Sequence, residues 1–299
     1  MDVEEKKIIV IVGPTASGKT GLSIKLAKAF NGEIVSADSR QVYKQMDIGT
    51  AKASKKEMAG IPHHLLDVAS PKKKFSVAQY RKLGTKALNA IFKKGKLPIV
   101  CGGTGFYIQA LIDGIVMPEV KPDWKLRKKL EAKTVEELYK ILKKLDPKRA
   151  GNIDKNNPRR LVRAIEIATI TKKPVPEIKA NPLPYPVLFL GAQKDPEKLK
   201  KDIEKRFYLW LDQGLLKEIK KLRKSGVSWK RIEEFGMHYR AFALYLQEKI
   251  SYEEAEERSL KELWQYTKRQ ATWFKRDKRM IWVNNFAGAK KITKKFLAE

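Results

Sequence analysis

Cysteine is almost missing from this 299-residue chain. Cys101 stands alone, which excludes an internal disulfide framework and fits a reducing cytoplasm. Long apolar runs are missing as well, and none approaches the length that spans a bilayer. The opening Met1-Asp2-Val3-Glu4-Glu5-Lys6-Lys7 is of mixed charge with no signal segment behind it, so a cytoplasmic protein with no membrane association is expected. Histidines number three, and two of them, His63 and His64, are adjacent. Neighbouring ring ligands rarely share one ion and no cysteine lies near, so a structural or substrate-contacting role is expected and no metal is assigned to them. Acidic residues are scarce: 34 Asp and Glu face 64 Lys and Arg, a formal charge of +30. Such an excess opposes a compact fold through self-repulsion and points to a polyanionic partner, although lysine also covers ordinary solvated faces. No apolar strand ends in the Asp-Glu pair often seen in nucleotide-driven motors.

What is present is a globular composition, 42% hydrophobic with six Trp, long enough for one main domain plus an insertion. The most specific signal is Gly13-Pro14-Thr15-Ala16-Ser17-Gly18-Lys19-Thr20, which fits G-x-x-x-x-G-K-[ST]. Ile8-Ile9-Val10-Ile11-Val12 before it reads as a buried parallel strand. Leu22, Ile24, Leu26, Ala27 and Phe30 after it recur at helical spacing until Asn31-Gly32. Strand, glycine-rich turn and helix bring backbone N–H groups and the positive helix end onto one anion. Lys19 adds a mobile charge, and the Thr20 hydroxyl can complete a Mg²⁺ shell that includes phosphate oxygens. A diphosphate or triphosphate ligand is expected.

Along the chain, strand and helix patterns alternate, which predicts a parallel α/β sheet flanked by helices. A second strand over 33–37 ends at Asp38, and functional groups of such sheets gather beyond the carboxyl ends of strands. Asp38 can therefore face the phosphate loop as a Mg²⁺ ligand or as a proton acceptor. Ser76-Val77-Ala78-Gln79 is a capping box opening a helix. A further buried strand, 97–101, runs into Gly102-Gly103-Thr104-Gly105, where glycines allow a close approach to a ligand and Thr104 offers a hydroxyl and an N–H.

After Gly114 the strands stop. Residues 119–186 read as a helical insertion, with a capping box at Thr134-Val135-Glu136-Glu137 and a capped helix start at Asn157-Pro158. In that last helix Leu161, Ile165 and Ala168 face inward, leaving Arg159, Arg160 and Arg163 grouped for phosphate or base-edge contact. The sheet resumes at 187–192, a helix from Asp195-Pro196 carries Arg206 toward the phosphates, and a last strand covers 280–283. The helix opening at Ser251 interleaves basic and aromatic residues over Gln265–Arg276, which suits a nucleic-acid face. Ala271 and Phe274 can pack inward at the same time.

These segments resemble the bacterial-type tRNA dimethylallyltransferases, also called isopentenylpyrophosphate transferases. The resemblance rests on GPTASGKT (13–20), SADSRQVYKQMDIGTAK (36–52), PHHLLD (62–67), GGTGFYIQAL (102–111), NPRRLVRAIE (157–166), EKRF (204–207) and KRQATWF (268–274), which follow the family's order across nearly the whole chain. It implies a P-loop core of residues 1–118 and 187–299, and an insertion of residues 119–186 that contacts the anticodon stem-loop. The implied reaction moves a dimethylallyl group from dimethylallyl diphosphate to N6 of the adenosine 3′ of the anticodon, in tRNAs reading codons that begin with U. Asp38 matches the general base. Thr104 and Arg206 match diphosphate contacts, and the loop N–H groups, Lys19 and Mg²⁺ on Thr20 can stabilise the leaving pyrophosphate. Asp38, Ser39, Arg40, Gln41, Thr104, Arg127, Arg159, Arg160, Leu161, Val162, Arg163, Tyr239, Arg240, Lys268, Arg269 and Gln270 match tRNA-contacting positions. Two departures are His238-Tyr239-Arg240, where the family often has Gly-Tyr before a basic residue, and Trp264, where Arg is frequent. A monomer is expected. A P-loop kinase with Asp38 activating a hydroxyl, and an RNA-binding NTPase, remain as alternatives.

Overall fold

The computed structural model describes residues 6–115, 120–176 and 180–299. Ile8–Val12 form β1, buried throughout, and Gly18 at φ 86° turns the chain into α1 (Lys19–Ala29). There follow β2 (Gly32–Ser36), the short α2 (Lys55–Met58), β3 (His63–His64), α3 (Val77–Lys93), β4 (Leu97–Gly102) and α4 (Gly105–Ile112). Among the described residues four helices come next without strands: α5 (Trp124–Glu131), α6 (Val135–Leu145), α7 (Pro147–Gly151) and α8 (Pro158–Thr171). The chain then runs through β5 (Val187–Ala192), α9 (Pro196–Asp212), α10 (Leu215–Lys224), α11 (Trp229–Glu233), α12 (Met237–Tyr245), α13 (Tyr252–Lys275), β6 (Met280–Val283) and α14 (Phe286–Ala298).

The six strands form one sheet in the order β3-β2-β4-β1-β5-β6, and every pairing is parallel. A parallel sheet must be covered on both faces, which is why β1 is apolar at every position rather than at alternate ones. Ile8, Val10 and Val12 face a core built with α3, α4 and the helices after β5. Ile9 and Ile11 face the opposite core, which α1 and α14 close with Leu26, Phe286 and Phe296. Because all strands run the same way, the turns after β1, β2 and β4 emerge at one edge of the sheet, which is where a site belongs in this architecture. The expected P-loop-like α/β core is thus the fold the chain adopts.

Sequence patterning does not reveal β3. Two residues cannot show a period, and His63–His64 form a strand only by pairing with Ile34 and Val35. Both histidines are tied locally: His63 Nδ1 lies 2.8 Å from Ile61 O, and His64 Nε2 lies 2.7 Å from Glu33 Oε2. Glu33 is 1% exposed and also receives Lys96 Nζ at 3.0 Å and Lys94 Nζ at 3.2 Å. Burial alone would push its carboxyl up, but hydrogen bonds from His64, Lys96 and Lys94 outweigh burial and hold it at about 2. A carboxyl depressed below its ordinary value of 4.5 stabilises the fold above that value and loses the effect as pH falls toward 2. Glu33→Gln is therefore expected to cost about 3 kcal/mol near neutrality and progressively less between pH 4.5 and pH 2, read as urea midpoints against the parent protein. A deficit that stays constant across that range would remove Glu33 from the acid limb.

Residues 114–182 form a separate compact unit with its own core, including Leu130, Leu138, Leu142, Leu161 and Ile165. Its helix starts are capped as the sequence predicts: Thr134 accepts from Glu137 N and Asn157 from Arg160 N. The expected limits of 119–186 shift at both ends. Asn181 N donates to Gly114 O at 3.1 Å and Ile115 bridges Ala180, which draws the start back to Gly114. Leu183 N donates to Ile112 O at 3.0 Å and Tyr185 packs on Phe92 at 4.9 Å, which keeps 183–186 with the sheet unit. The expected boundary at 118/119 itself falls within 116–119, outside the described residues. Among the described residues no helix is long and apolar enough to cross a membrane.

Candidate active site

Three turns at the carboxyl edge of the sheet build the site. In the first, Ala16 at φ 66° and Gly18 at φ 86° take the left-handed conformation on either side of Ser17. Alternating hands of this kind curl a backbone into a concave N–H surface at the start of α1. Lys19 Nζ donates across the loop to Pro14 O at 3.1 Å. Burial lowers the pKa of its ammonium, opposed by Cys101 and Asp38 and assisted by Arg206. That places Lys19 within electrostatic reach of both the expected base and the expected second cation. Ser17 Oγ is buried without a partner, and Thr20 is exposed on the first turn of the helix.

In the second turn, Asp38 Oδ1 accepts from Arg40 N at 2.8 Å and from Gln41 N at 3.3 Å, so the carboxylate caps its own turn. In the third, Thr104 N donates to Ala37 O at 3.0 Å and Thr104 Oγ1 accepts from Ser39 N at 3.0 Å. The turns after β2 and β4 are thereby fixed to each other. The glycines of the third turn are required by packing as well, and Gly102 also lines the cleft. A Cβ on Gly102 would lie 2.2 Å from Ala37 O, one on Gly103 2.1 Å from Gln270 Nε2, and one on Gly105 2.1 Å from Trp273 Nε1.

Thr15, Lys19, Thr20, Asp38, Arg40, Gln41 and Arg206 line one cleft of about 960 Å³ including its open mouth. Burial also lowers the Arg206 guanidinium, which Asp202 and Glu57 oppose. The cleft's lining also includes the apolar side chains of Leu66, Trp210, Met237 and Leu263. It also holds Tyr266, whose hydroxyl burial pushes up to about 12, and His238, whose imidazole burial pushes down to about 3 and so keeps neutral. Trp210, Met237, Leu263 and Tyr266 are functional candidates that sequence reasoning missed; each lies on a helix far along the chain, and only the fold brings it to the turns.

The tRNA contacts expected by resemblance divide into groups. Arg240, Lys268 and Arg269 are half-buried or exposed on α12 and α13, and Arg159 and Arg160 are exposed at the start of α8. Leu161 and Val162 are not available: their side chains fill the helical unit's core at 0% and 6% exposure, because they occupy its inward stripe. Tyr239 is set into the cleft's lining and is not on the outer surface. It is 1% exposed and its hydroxyl donates to Glu218 at 2.6 Å. Glu218 also accepts from the N–H groups of Asp47, Ile48 and Gly49, holding the loop that walls the cleft. Gln41 braces the same loop, donating to Thr50 O and Ala51 O while accepting from Ser36 Oγ. Gln270 is buried and turned toward the phosphate loop rather than outward. Arg127 and Arg163 are half-buried on Glu166, which Arg127 grips with two nitrogens at 2.8 and 2.7 Å.

Comparison with known proteins agrees with this geometry. The family described as IPP transferase matches residues 41–277. A tRNA dimethylallyltransferase of Acetivibrio thermocellus is 44% identical over 297 residues, covering 96% of this chain and 95% of that protein. A tRNA dimethylallyltransferase of Halothermothrix orenii is 38% identical, covering 99% and 95%. Among solved structures, a tRNA isopentenylpyrophosphate transferase of Bacillus halodurans superposes with a TM-score of 0.73 at 36% identity over 98% of this chain and 96% of that one. A eukaryotic dimethylallyltransferase acting on tRNA superposes with a TM-score of 0.76 at 31% identity, covering 94% of this chain and 75% of that one. On the sequence match, its coverage and the shared fold, the chain belongs to the IPP transferase family.

Proposed function

We propose that this protein is a tRNA dimethylallyltransferase, moving a dimethylallyl group from dimethylallyl diphosphate to N6 of the adenosine 3′ of the anticodon in tRNAs reading codons that begin with U. The observation that carries the reading is the joint placement of Asp38 with the phosphate-loop residues Lys19 and Thr20, and with Arg206, around one cleft that Leu66, Trp210, Met237 and Leu263 also line. A lining with both charged and apolar side chains suits a ligand with a diphosphate head and a hydrocarbon tail.

The chemistry assigns a task to each group. The allylic C–O bond breaks with its electron pair leaving on pyrophosphate, while the N6 lone pair forms the new C–N bond. Negative charge grows on the leaving oxygens, where the N–H groups of the first turn, Lys19 and Arg206 are preorganised to receive it. An exocyclic adenine amine is a weak nucleophile because its lone pair is delocalised into the ring. Asp38 accepts the N6 proton as the bond forms, so no full charge accumulates on the base. The adenosine leaves its stack to reach the cleft. The net +30 charge and the exposed Lys268 and Arg269 on α13 suit an anticodon stem-loop, and the helical unit, taken by itself, exposes Arg159 and Arg160 to the same kind of ligand.

Mg²⁺ fits the donor set. Thr20 supplies a hydroxyl beside the phosphate loop, and the described residues contain no group of three or more His, Cys, Asp or Glu that could hold an ion by themselves. A hard cation there would take its remaining ligands from phosphate and water, and when bound it neutralises charge on the leaving group. One chain supplies the cleft's lining, so a monomer suffices, and the lone Cys101 suits a cytoplasmic setting.

The test is to incubate the protein and Mg²⁺ with undermodified tRNA and either dimethylallyl diphosphate or ATP, then to analyse nucleosides by mass. Prenylated adenosine with the diphosphate is the expected product. Its absence would sink the reading, and ATP consumption dependent on a small hydroxyl compound would promote a kinase in its place.

A further inference from the structure

The long helix α13 reaches the phosphate-facing turns through Gln270, and its Tyr266 lies against Thr104. Its inward stripe is Leu263, Thr267, Gln270 and Phe274, all buried and spaced four, three and four apart. Thr267 Oγ1 turns back onto its own helix at Leu263 O, 2.9 Å away. Gln270 instead reaches out of the helix. Its Oε1 accepts from Thr15 N at 2.9 Å and from Thr15 Oγ1 at 3.2 Å, and its Nε2 donates to Gly103 O at 2.9 Å. One amide therefore spans the turn after β1 and the turn after β4. The seat is close: Gly103 has no room for a Cβ beside Nε2, and Gly105 has none beside Trp273. The other side of the same helix is exposed and basic at Lys261, Lys268, Arg269 and Lys275.

We propose that Gln270 is a positioning residue for the transfer. It fixes the spacing of the two turns around the diphosphate, and it ties that spacing to the helix whose basic outer face engages tRNA. This rests on the function proposed above. Truncating the amide leaves Thr15 N and Gly103 O without their partner, which unties the turn after β1 from the turn after β4. Where one element serves two ligands, the coupling is reciprocal: tRNA that steadies α13 tightens pyrophosphate binding by the factor with which pyrophosphate tightens tRNA.

Calorimetric titration with inorganic pyrophosphate and Mg²⁺, with and without saturating undermodified tRNA, tests the proposal. The parent protein is expected to bind pyrophosphate about fivefold or more tightly when tRNA is present. Gln270→Ala should bind it about tenfold more weakly, show a tRNA effect near one, and keep the parent's tRNA affinity. Gln270→Glu retains the acceptor for Thr15 but sets a carboxylate against Gly103 O, so its pyrophosphate affinity should fall between the two. Should the alanine variant fail to fold, the glutamate variant carries the comparison alone. A parent protein without a tRNA effect overturns the proposal, as do variants that match the parent in pyrophosphate affinity and tRNA effect or that lose tRNA affinity itself. The two ideas fail separately: tRNA-dependent pyrophosphate binding without prenylation removes the function, whereas prenylation with tRNA-independent pyrophosphate binding removes the coupling.

Discussion

Asp38→Asn is expected to lower kcat by about 10³-fold while tRNA affinity stays within about twofold, as general-base removal commonly costs 10²–10⁴. Asparagine separates two jobs of this side chain. Asp38 Oδ1 accepts from Arg40 N and Gln41 N, and an asparagine Oδ1 accepts in the same place, so the turn after β2 survives. What the variant loses is a basic oxygen for the N6 proton. Asp38→Ala loses the cap as well, which frees Ser39 from Thr104 and loosens Arg40, whose Nε donates to Phe235 O at 2.9 Å. The alanine variant should therefore add a fall in tRNA affinity to the same chemical defect. Single-turnover rates with saturating donor, set beside tRNA binding, separate the two. A rate for Asp38→Asn close to the parent's would remove Asp38 as the base; a large loss of tRNA affinity in that variant would make it a binding residue.

The parts of the site that were legible in the sequence are those whose physics is local. Gly13–Thr20 could be read because strand, turn and helix follow one another within a few residues of it. Helix starts at Ser76, Thr134, Asn157, Asp195 and Ser251 could be read because each cap bonds a backbone N–H three residues on. The rest depends on partners far away in sequence. Helical periodicity put Ala271 and Phe274 inward on α13, whereas the structure buries Gln270 and Phe274 and leaves Ala271 half-buried. A shift of one residue reverses the role of a glutamine, and only Thr15, 255 residues away, decides it. Glu218 illustrates the same limit. Nothing near it marks a carboxylate that will hold a loop 170 residues earlier and a tyrosine 21 residues later. Leu161 and Val162 show the opposite case. Periodicity already placed Leu161 inward, and the helical unit's core agrees with the period rather than with the motif to which both residues belong.

Lys19→Ala should lower kcat/KM for the diphosphate donor by about 10²- to 10³-fold, the usual cost of removing one preorganised charge from a developing anion. The structure gives the loss a particular form. Lys19 already spans the loop to Pro14 O, so it does not have to be recruited from solvent when the donor arrives. Burial, the largest influence on it, lowers its pKa below the ordinary 10.5, and Arg206 adds to this. An ammonium with a depressed pKa gives up its proton at a lower pH than a solvated lysine. Donor affinity should thus weaken as pH rises toward 10.5, before free lysines titrate. A bound diphosphate opposes that loss by favouring the charged form, so the pH at which affinity falls should be higher in the complex than in the free enzyme. Lys19→Arg tests charge against shape: its guanidinium keeps the charge through the alkaline range but is broader than an ammonium and cannot take the same short path to Pro14 O. The arginine variant should recover part of the affinity and lose the alkaline fall. An alkaline fall that persists in Lys19→Arg would assign the titration to another group, and one that begins only near 12 would point to the Tyr266 hydroxyl.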